Sequence, residues 1–205
     1  MQHFSPMRGR IGMLVCLTVL AAVMAGCGQA YQFAGTPFVP PLDAPPVNGA
    51  IRSGEAFALR KLPVKVKLVF FGYTSCPDIC PLTMSNLKSV YDQLSPAERS
   101  NVAVVLISVD PARDTPERLA SYTAAFNPEF YGVHVPEAQL AQLLDAFNVF
   151  AGTRSVEGAD DPNSYLVDHT AVIFVVDTKN QLREIFPSNA PADQIAADVR
   201  YLLTE

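Results

Sequence analysis

At 205 residues the chain has room for one hydrophobic core and little room for a second. Its formal net charge is −5, with 20 acidic residues against 15 basic, so the basic excess by which proteins hold nucleic acid is missing and no nucleic-acid partner is expected. Hydrophobic residues make up 49% and charged residues 17%, slightly apolar for a wholly soluble chain, which implies that some apolar sequence is segregated.

That segment comes first. Arg8 and Arg10 precede an uncharged apolar stretch from Ile11 to Met24, followed by Ala25-Gly26-Cys27, in the order of an export signal. The stretch falls short of the roughly 20 residues a bilayer-spanning helix needs. Small residues directly before a cysteine resemble the lipobox of bacterial lipoproteins, in which cleavage leaves that cysteine as the lipidated N-terminus. Residues 1–26 are therefore expected to be an export signal and Cys27 the lipidation site, although Met24 stands where Leu is usual. An uncleaved anchor is the alternative, and Cys16, preceded by Val15, is the weaker lipidation candidate. The expected location is extracytoplasmic, with the membrane held through an N-terminal lipid. Loss of the signal removes two basic and no acidic residues, leaving 13 against 20 and a net charge of −7.

From Gly28 to Pro46 the sequence is rich in proline, with few periodic apolar positions, and reads as a semi-extended tether occupying 27–46. The folded domain is expected over 47–205, opening with an irregular hairpin from Val47 to Leu59 that Gly49 and Gly54 interrupt. Val64 to Gly72 alternates and then turns continuously apolar, as a strand entering the centre of a sheet does. Leu87, Val90, Tyr91 and Leu94 recur at helical spacing, Val102 to Val109 is a second buried strand, and Asp110-Pro111 ends it. Thr115 caps a helix whose first residue is Pro116 and whose face carries Leu119, Tyr122 and Phe126.

Pro136 opens a helix with Leu140, Leu143, Leu144 and Phe147 on one side. Gly152 to Tyr165 shows no apolar period and reads as a long loop. Thr170 to Val176 and Leu182 to Phe186 form a hairpin, and a last helix presents Ile195, Val199, Leu202 and Leu203. The order β, α, β, α, α, β, β, α predicts an α/β domain, a central mixed sheet flanked by helices, with the closing hairpin and helix of a thioredoxin-like fold.

With Cys16 in the signal and Cys27 lipidated, Cys76 and Cys80 are the cysteines of the folded body. A bridge between them would close so short a loop that it would remove little entropy from the unfolded chain, so chemistry is the better reason for the pair. They lie between a central strand and a helix, where ligands usually bind in α/β sheets. Unpaired N–H groups and the positive end of the helix dipole favour thiolate there. Residues four apart in a regular helix hold their Cβ atoms about 5–6 Å apart, against roughly 3.5–4.5 Å in a disulfide. A non-helical approach at Cys76 closes that gap, so the spacing permits both a disulfide and a shared metal.

Two histidines remain beyond the signal. His134, between Val133 and Val135, reads as structural, whereas His169, after a polar loop and ahead of a buried strand, is placed to approach the cysteines. Two thiolates and one imidazole are too few for a common structural zinc site, and soft ligands of low number favour Cu(I). Cu(II) could use the same three ligands plus water or another oxygen, and zinc completed by Asp78 is a further alternative, although Asp78 reads first as a turn or helix-cap residue.

Phe-Phe-Gly-Tyr-Thr-Ser-Cys-Pro-Asp-Ile-Cys-Pro at 70–81, Val-Asp-Pro-Ala-Arg-Asp-Thr-Pro-Glu-Arg-Leu at 109–119, Asp-His-Thr at 168–170 and the closing strand-helix region together resemble the Sco family of copper-assembly proteins for cytochrome oxidase. The resemblance covers about Val47 to the C-terminus. It implies a thioredoxin-like fold, copper as the bound metal, and Cys76, Cys80 and His169 as its ligands. The implied partner is the copper A subunit of cytochrome c oxidase, which would receive copper or have its cysteines reduced. Another copper chaperone or a thioredoxin-like reductant is a further candidate partner. For 110–116, strand termination, helix capping and an ion pair between Arg113 and a carboxylate are sufficient roles.

Two other functions compete with a metallochaperone. In a thiol-disulfide oxidoreductase Cys76 and Cys80 are the redox pair and alternate between dithiol and disulfide. Thioredoxins, however, place a cis-proline near their cysteines, where this chain has Val167-Asp168-His169-Thr170. In a peroxiredoxin-like peroxidase Thr74 is suitably placed before Cys76, but Gly72 stands where proline is expected.

Overall fold

The computed structural model describes residues 31–205, apart from 53, 159, 160, 162 and 163. Cys16, Cys27 and the expected signal lie outside the described residues. The residues from Phe33 to Glu205 form one compact unit.

Ten strands and five helices follow in chain order among the described residues. They are β1 Thr36–Asp43, β2 Asn48–Ile51, β3 Glu55–Ala58, a single 3-10 turn Leu59–Lys61, β4 Val66–Gly72, α1 Ile79–Asp92, α2 Pro96–Arg99, β5 Val102–Ser108, α3 Pro116–Ala124 and β6 Tyr131–Val133. Then come α4 Glu137–Ala146, β7 Ala151–Ser155, β8 Tyr165–His169, β9 Val172–Val176, β10 Gln181–Pro187 and α5 Ala192–Leu203. Six strands make the main sheet in the order β1-β10-β9-β4-β5-β6. β4 is parallel to β5 and β5 to β6, while the β4–β9, β9–β10 and β10–β1 pairs are antiparallel. This is the expected mixed sheet, in a thioredoxin-like arrangement.

β4 and β5 are buried at every position, which is why their sequences run continuously apolar rather than alternating. Their cross-strand neighbours fix a strict parallel register from Val66 opposite Val102 to Gly72 opposite Ser108. The two strands therefore end together, and the loops that leave them, 73–78 and 109–115, emerge side by side. Thr115 accepts from the Arg118 N–H at 3.2 Å and Pro116 follows as the first helical residue, so α3 starts where the sequence predicts.

Three expectations are corrected. The proline-rich stretch is not a tether throughout: Thr36–Asp43 is an edge strand on β10, and Ala44 and Val47 are buried. Proline lacks the N–H for a ladder, so it is confined to edges and irregularities, and the register here shifts between Pro37 and Leu42, across Pro40 and Pro41. The stretch from Gly152 to Tyr165 is not a loop throughout, because Ala151–Ser155 pairs with Tyr165–His169 as an antiparallel ribbon. Val167 is the one buried residue of that ribbon, and without a buried face no alternation is imposed on its sequence. His169 thus closes β8 instead of preceding β9 directly. Finally, β2 and β3 pair in regular register, with Gly54 at a positive φ of 81° in the turn.

Candidate metal centre

β4 delivers the chain into Tyr73-Thr74-Ser75-Cys76-Pro77-Asp78, and α1 begins at Ile79. Cys76 is half-buried and Cys80, the second helical residue, is fully buried against the end of β4. A Cβ on Gly72 would lie 3.0 Å from the Cys80 Sγ and 2.7 Å from the Phe70 ring, so only glycine leaves space for that sulfur. Asp78 holds the position before the helix, exposed, with no side-chain capping bond.

β8 brings His169 over the same point. Its Nε2 lies 3.3 Å from the Cys80 Sγ, and the Cys80 N–H donates to the Cys76 Sγ at 3.4 Å. The donor atoms of Cys76, Cys80 and His169 all lie within 4.8 Å of one another, the one such grouping of three or more His, Cys, Asp or Glu among the described residues. Two donors bound to one ion at about 2.3 Å can be at most about 4.6 Å apart. The three atoms would close on a single ion with movements of a few tenths of an ångström.

The imidazole is oriented for that task. A backbone carbonyl only accepts, so the 3.2 Å contact between His169 Nδ1 and the Thr170 O makes Nδ1 the protonated nitrogen and turns the Nε2 lone pair toward the sulfurs. The ring is met edgewise by Phe70 and Tyr73, at centroid distances of 5.8 and 6.0 Å. The Tyr73 hydroxyl in turn accepts from the Val167 N–H in the middle of β8, at 3.1 Å.

The sulfurs are electrostatically unequal. The Cys80 hydrogen bond, opposed by burial and aided by His169 and by the N–H groups of Asp78 and Cys80, draws the Cys76 thiol down to about 3. Cys80 moves the other way, pushed up by that same bond to Cys76 and by burial. Cys76 is thus the accessible thiolate and Cys80 the covered thiol behind it. The two are not joined in this structure.

His134 is elsewhere: its backbone pairs with Ala50 and its Nδ1–H donates to the Asp114 O at 2.8 Å. Arg113 makes the expected ion pair, with Asp110 at 2.5 Å. Sequence reasoning gave no weight to Gly72, Tyr73 or Tyr165 as builders of the site. An FFGY run at the end of a central strand was legible, but which atom needs the space at Gly72 appears only in three dimensions.

Comparisons with known proteins identify the family of the chain. The SCO1/SenC family model matches residues 50–204. The chain is 32% identical over 145 residues to an SCO2-like protein of Rickettsia conorii, covering 70% of this chain and 69% of that one. Apo Sco1 of Thermus thermophilus superposes with a TM-score of 0.74 at 34% identity, covering 86% of this chain and all of the other. ScoI of Bradyrhizobium japonicum, solved with copper bound, gives 0.69 at 30% identity, covering 78% and 99%.

Proposed function

Because the chain belongs to the SCO1/SenC family, we propose that it is an extracytoplasmic copper chaperone that takes copper on Cys76, Cys80 and His169 and delivers it to the copper A site of cytochrome c oxidase. The observation that carries this reading is the convergence of two sulfurs and one correctly oriented imidazole within 4.8 Å. The donor set suits a soft, low-coordinate ion, which is Cu(I) among the biological metals. A related Sco protein is described as belonging to a family of cytochrome c oxidase assembly proteins, which supports the destination.

The half-buried Cys76 supports transfer by ligand exchange. An incoming donor meets Cys76 first, while Cys80 and His169 hold the ion from behind; release of Cys76 then leaves the ion shared with the acceptor. No helix among the described residues is long and apolar enough to cross a membrane. The membrane attachment we assign to a lipid on Cys27, on the apolar stretch and the small residues Ala25-Gly26 that precede that cysteine.

Copper titration of the reduced protein tests the reading. One ion per chain is expected, with His169→Ala weakening binding by about tenfold or more; unchanged stoichiometry and affinity in that variant would remove the three-ligand site. Mixing the loaded protein with a metal-free copper A domain should move copper onto that domain.

One observation favours a second reading, a thiol-disulfide oxidoreductase: the Cys76 thiolate stands in front of a covered Cys80 thiol. In that reaction the Cys76 thiolate attacks a disulfide sulfur of the copper A subunit, forming a mixed disulfide and releasing one partner thiolate. Cys80 loses its proton and attacks Cys76, releasing the second. The partner's disulfide is reduced to two thiols and the Cys76–Cys80 dithiol is oxidised to a disulfide. Retained cellular function in His169→Ala, with loss in either cysteine variant, would establish this reaction in place of copper delivery.

A further inference from the structure

The loop that follows β5 reaches both halves of the metal centre. Asp114 is fully buried, and its carboxylate accepts from the Thr74 N–H at 3.1 Å, the Thr74 hydroxyl at 2.5 Å and the Ser108 hydroxyl at 2.8 Å. From α3, Arg118 donates to the Thr74 and Ser75 hydroxyls at 2.7 and 2.9 Å. Thr74 and Ser75 immediately precede Cys76, so these contacts fix the base of the cysteine loop.

Four residues earlier, Asp110 is also buried. One oxygen accepts from Arg113 at 2.5 Å and the other from the Tyr165 hydroxyl at 2.6 Å. The Arg113 guanidinium lies 3.6 Å over the Tyr165 ring and donates to the Tyr165 O at 2.9 Å. Tyr165 is the first residue of β8 and His169 the last, so this cage anchors the strand that carries the imidazole. The two anchors are one element: the Asp114 N–H donates to the Asp110 O at 2.9 Å, and His134 holds the Asp114 carbonyl from outside.

Burying two carboxylates is costly, and apolar residues of similar volume would serve stability at least as well. Capping and strand termination call for neither the burial of Asp114 nor its bonds to Thr74. We propose that Asp114 and the Asp110–Arg113–Tyr165 cage are positioning residues of the copper site: one sets the cysteine loop, the other sets β8, and the loop joining them holds the sulfur-to-imidazole spacing. The inference rests on the copper-binding reading of that site. It gives the 109–119 segment a role beyond the local ones its sequence suggests.

The test compares Asp114→Asn, Thr74→Val, Tyr165→Phe and Leu182→Ala in the full chain with the native protein. Leu182 is a control: it lies opposite Val176, which pairs with Lys67 at the start of β4, whereas the site lies beyond the other end of that strand. Thr74→Val removes the hydroxyl tie to Asp114 from the other side and serves if Asp114→Asn does not fold. Thermal unfolding reports stability, competition with a chromophoric chelator reports Cu(I) affinity, and two readouts need no metal: the rate at which Cys76 reacts with a disulfide reagent, and the His169 imidazole NMR signals.

Asp114→Asn and Thr74→Val should change the thiol rate and leave the imidazole signals in place, while Tyr165→Phe should do the reverse. All three should bind Cu(I) about tenfold or more weakly, and Leu182→Ala should lose stability with affinity unchanged. Folded variants with native affinity, native thiol rates and native imidazole signals overturn the inference, as does an equal loss of affinity in Leu182→Ala. Failure of the native protein to bind copper overturns the metallochaperone reading instead, and the two metal-free readouts then still decide whether these residues position the cysteines and the histidine.

Discussion

Gly72 and Cys80 compete for the same space. A methyl group at 72 would stand 3.0 Å from the sulfur and 2.7 Å from Phe70, so Gly72→Ala should displace Cys80, destabilise the fold by about 1–3 kcal/mol and weaken copper binding. Chemical denaturation and copper titration check the two effects, and native values in both would show that the strand end yields freely. Glu184 gives a second residue-scale prediction. It is buried, and burial followed by the neighbouring Asp198 raises its carboxyl to about 9. The native state therefore holds a proton that the unfolded chain releases above the ordinary carboxyl range. Stability is present below that range and falls as pH rises toward about 9, by up to about 1.4 kcal/mol per pH unit. Glu184→Gln keeps a neutral side chain and should flatten the decline in denaturation at pH 5, 7 and 9; an unchanged slope would assign it to another group. At this scale the cysteines were legible through their spacing and place. Asp114 was not, because nothing in the string DPARDTP tells a buried aspartate from a solvated one.

The elements read correctly from sequence are those whose packing imposes a pattern. β4 and β5, buried on both faces, run continuously apolar, and α4 places Leu140 and Leu143 in the core at helical spacing. β1 and the β7–β8 ribbon bury too little to do so, and β1 carries prolines that signal a tether and serve equally well on an edge. The strand has a measurable consequence. Phe33 and Phe38 pack against the core, Ala44 is buried, and the Ala34 N–H donates to Asp198 at 2.7 Å. A chain starting at Val47 should lose on the order of 3 kcal/mol relative to one starting at Tyr31, and should self-associate through the uncovered edge of β10. Denaturant unfolding and size-exclusion chromatography check both; equal stability would restore the tether reading.

Across the whole molecule, the parallel register of β4 and β5 places the ends of both strands, and the loops after them, at one end of the sheet, where β8 brings His169 to the two cysteines. The proposed lipid on Cys27 carries its own prediction: Cys27→Ser should shift the protein from the membrane to the soluble extracytoplasmic fraction, whereas retention would indicate an uncleaved signal. The central claim concerns what the three donors hold. X-ray absorption at the copper edge of the reduced, copper-loaded protein tests it most directly. Two sulfur and one imidazole nitrogen scatterers are expected, with the nitrogen lost in His169→Ala; a sulfur-only site, or a native spectrum from that variant, would contradict the account.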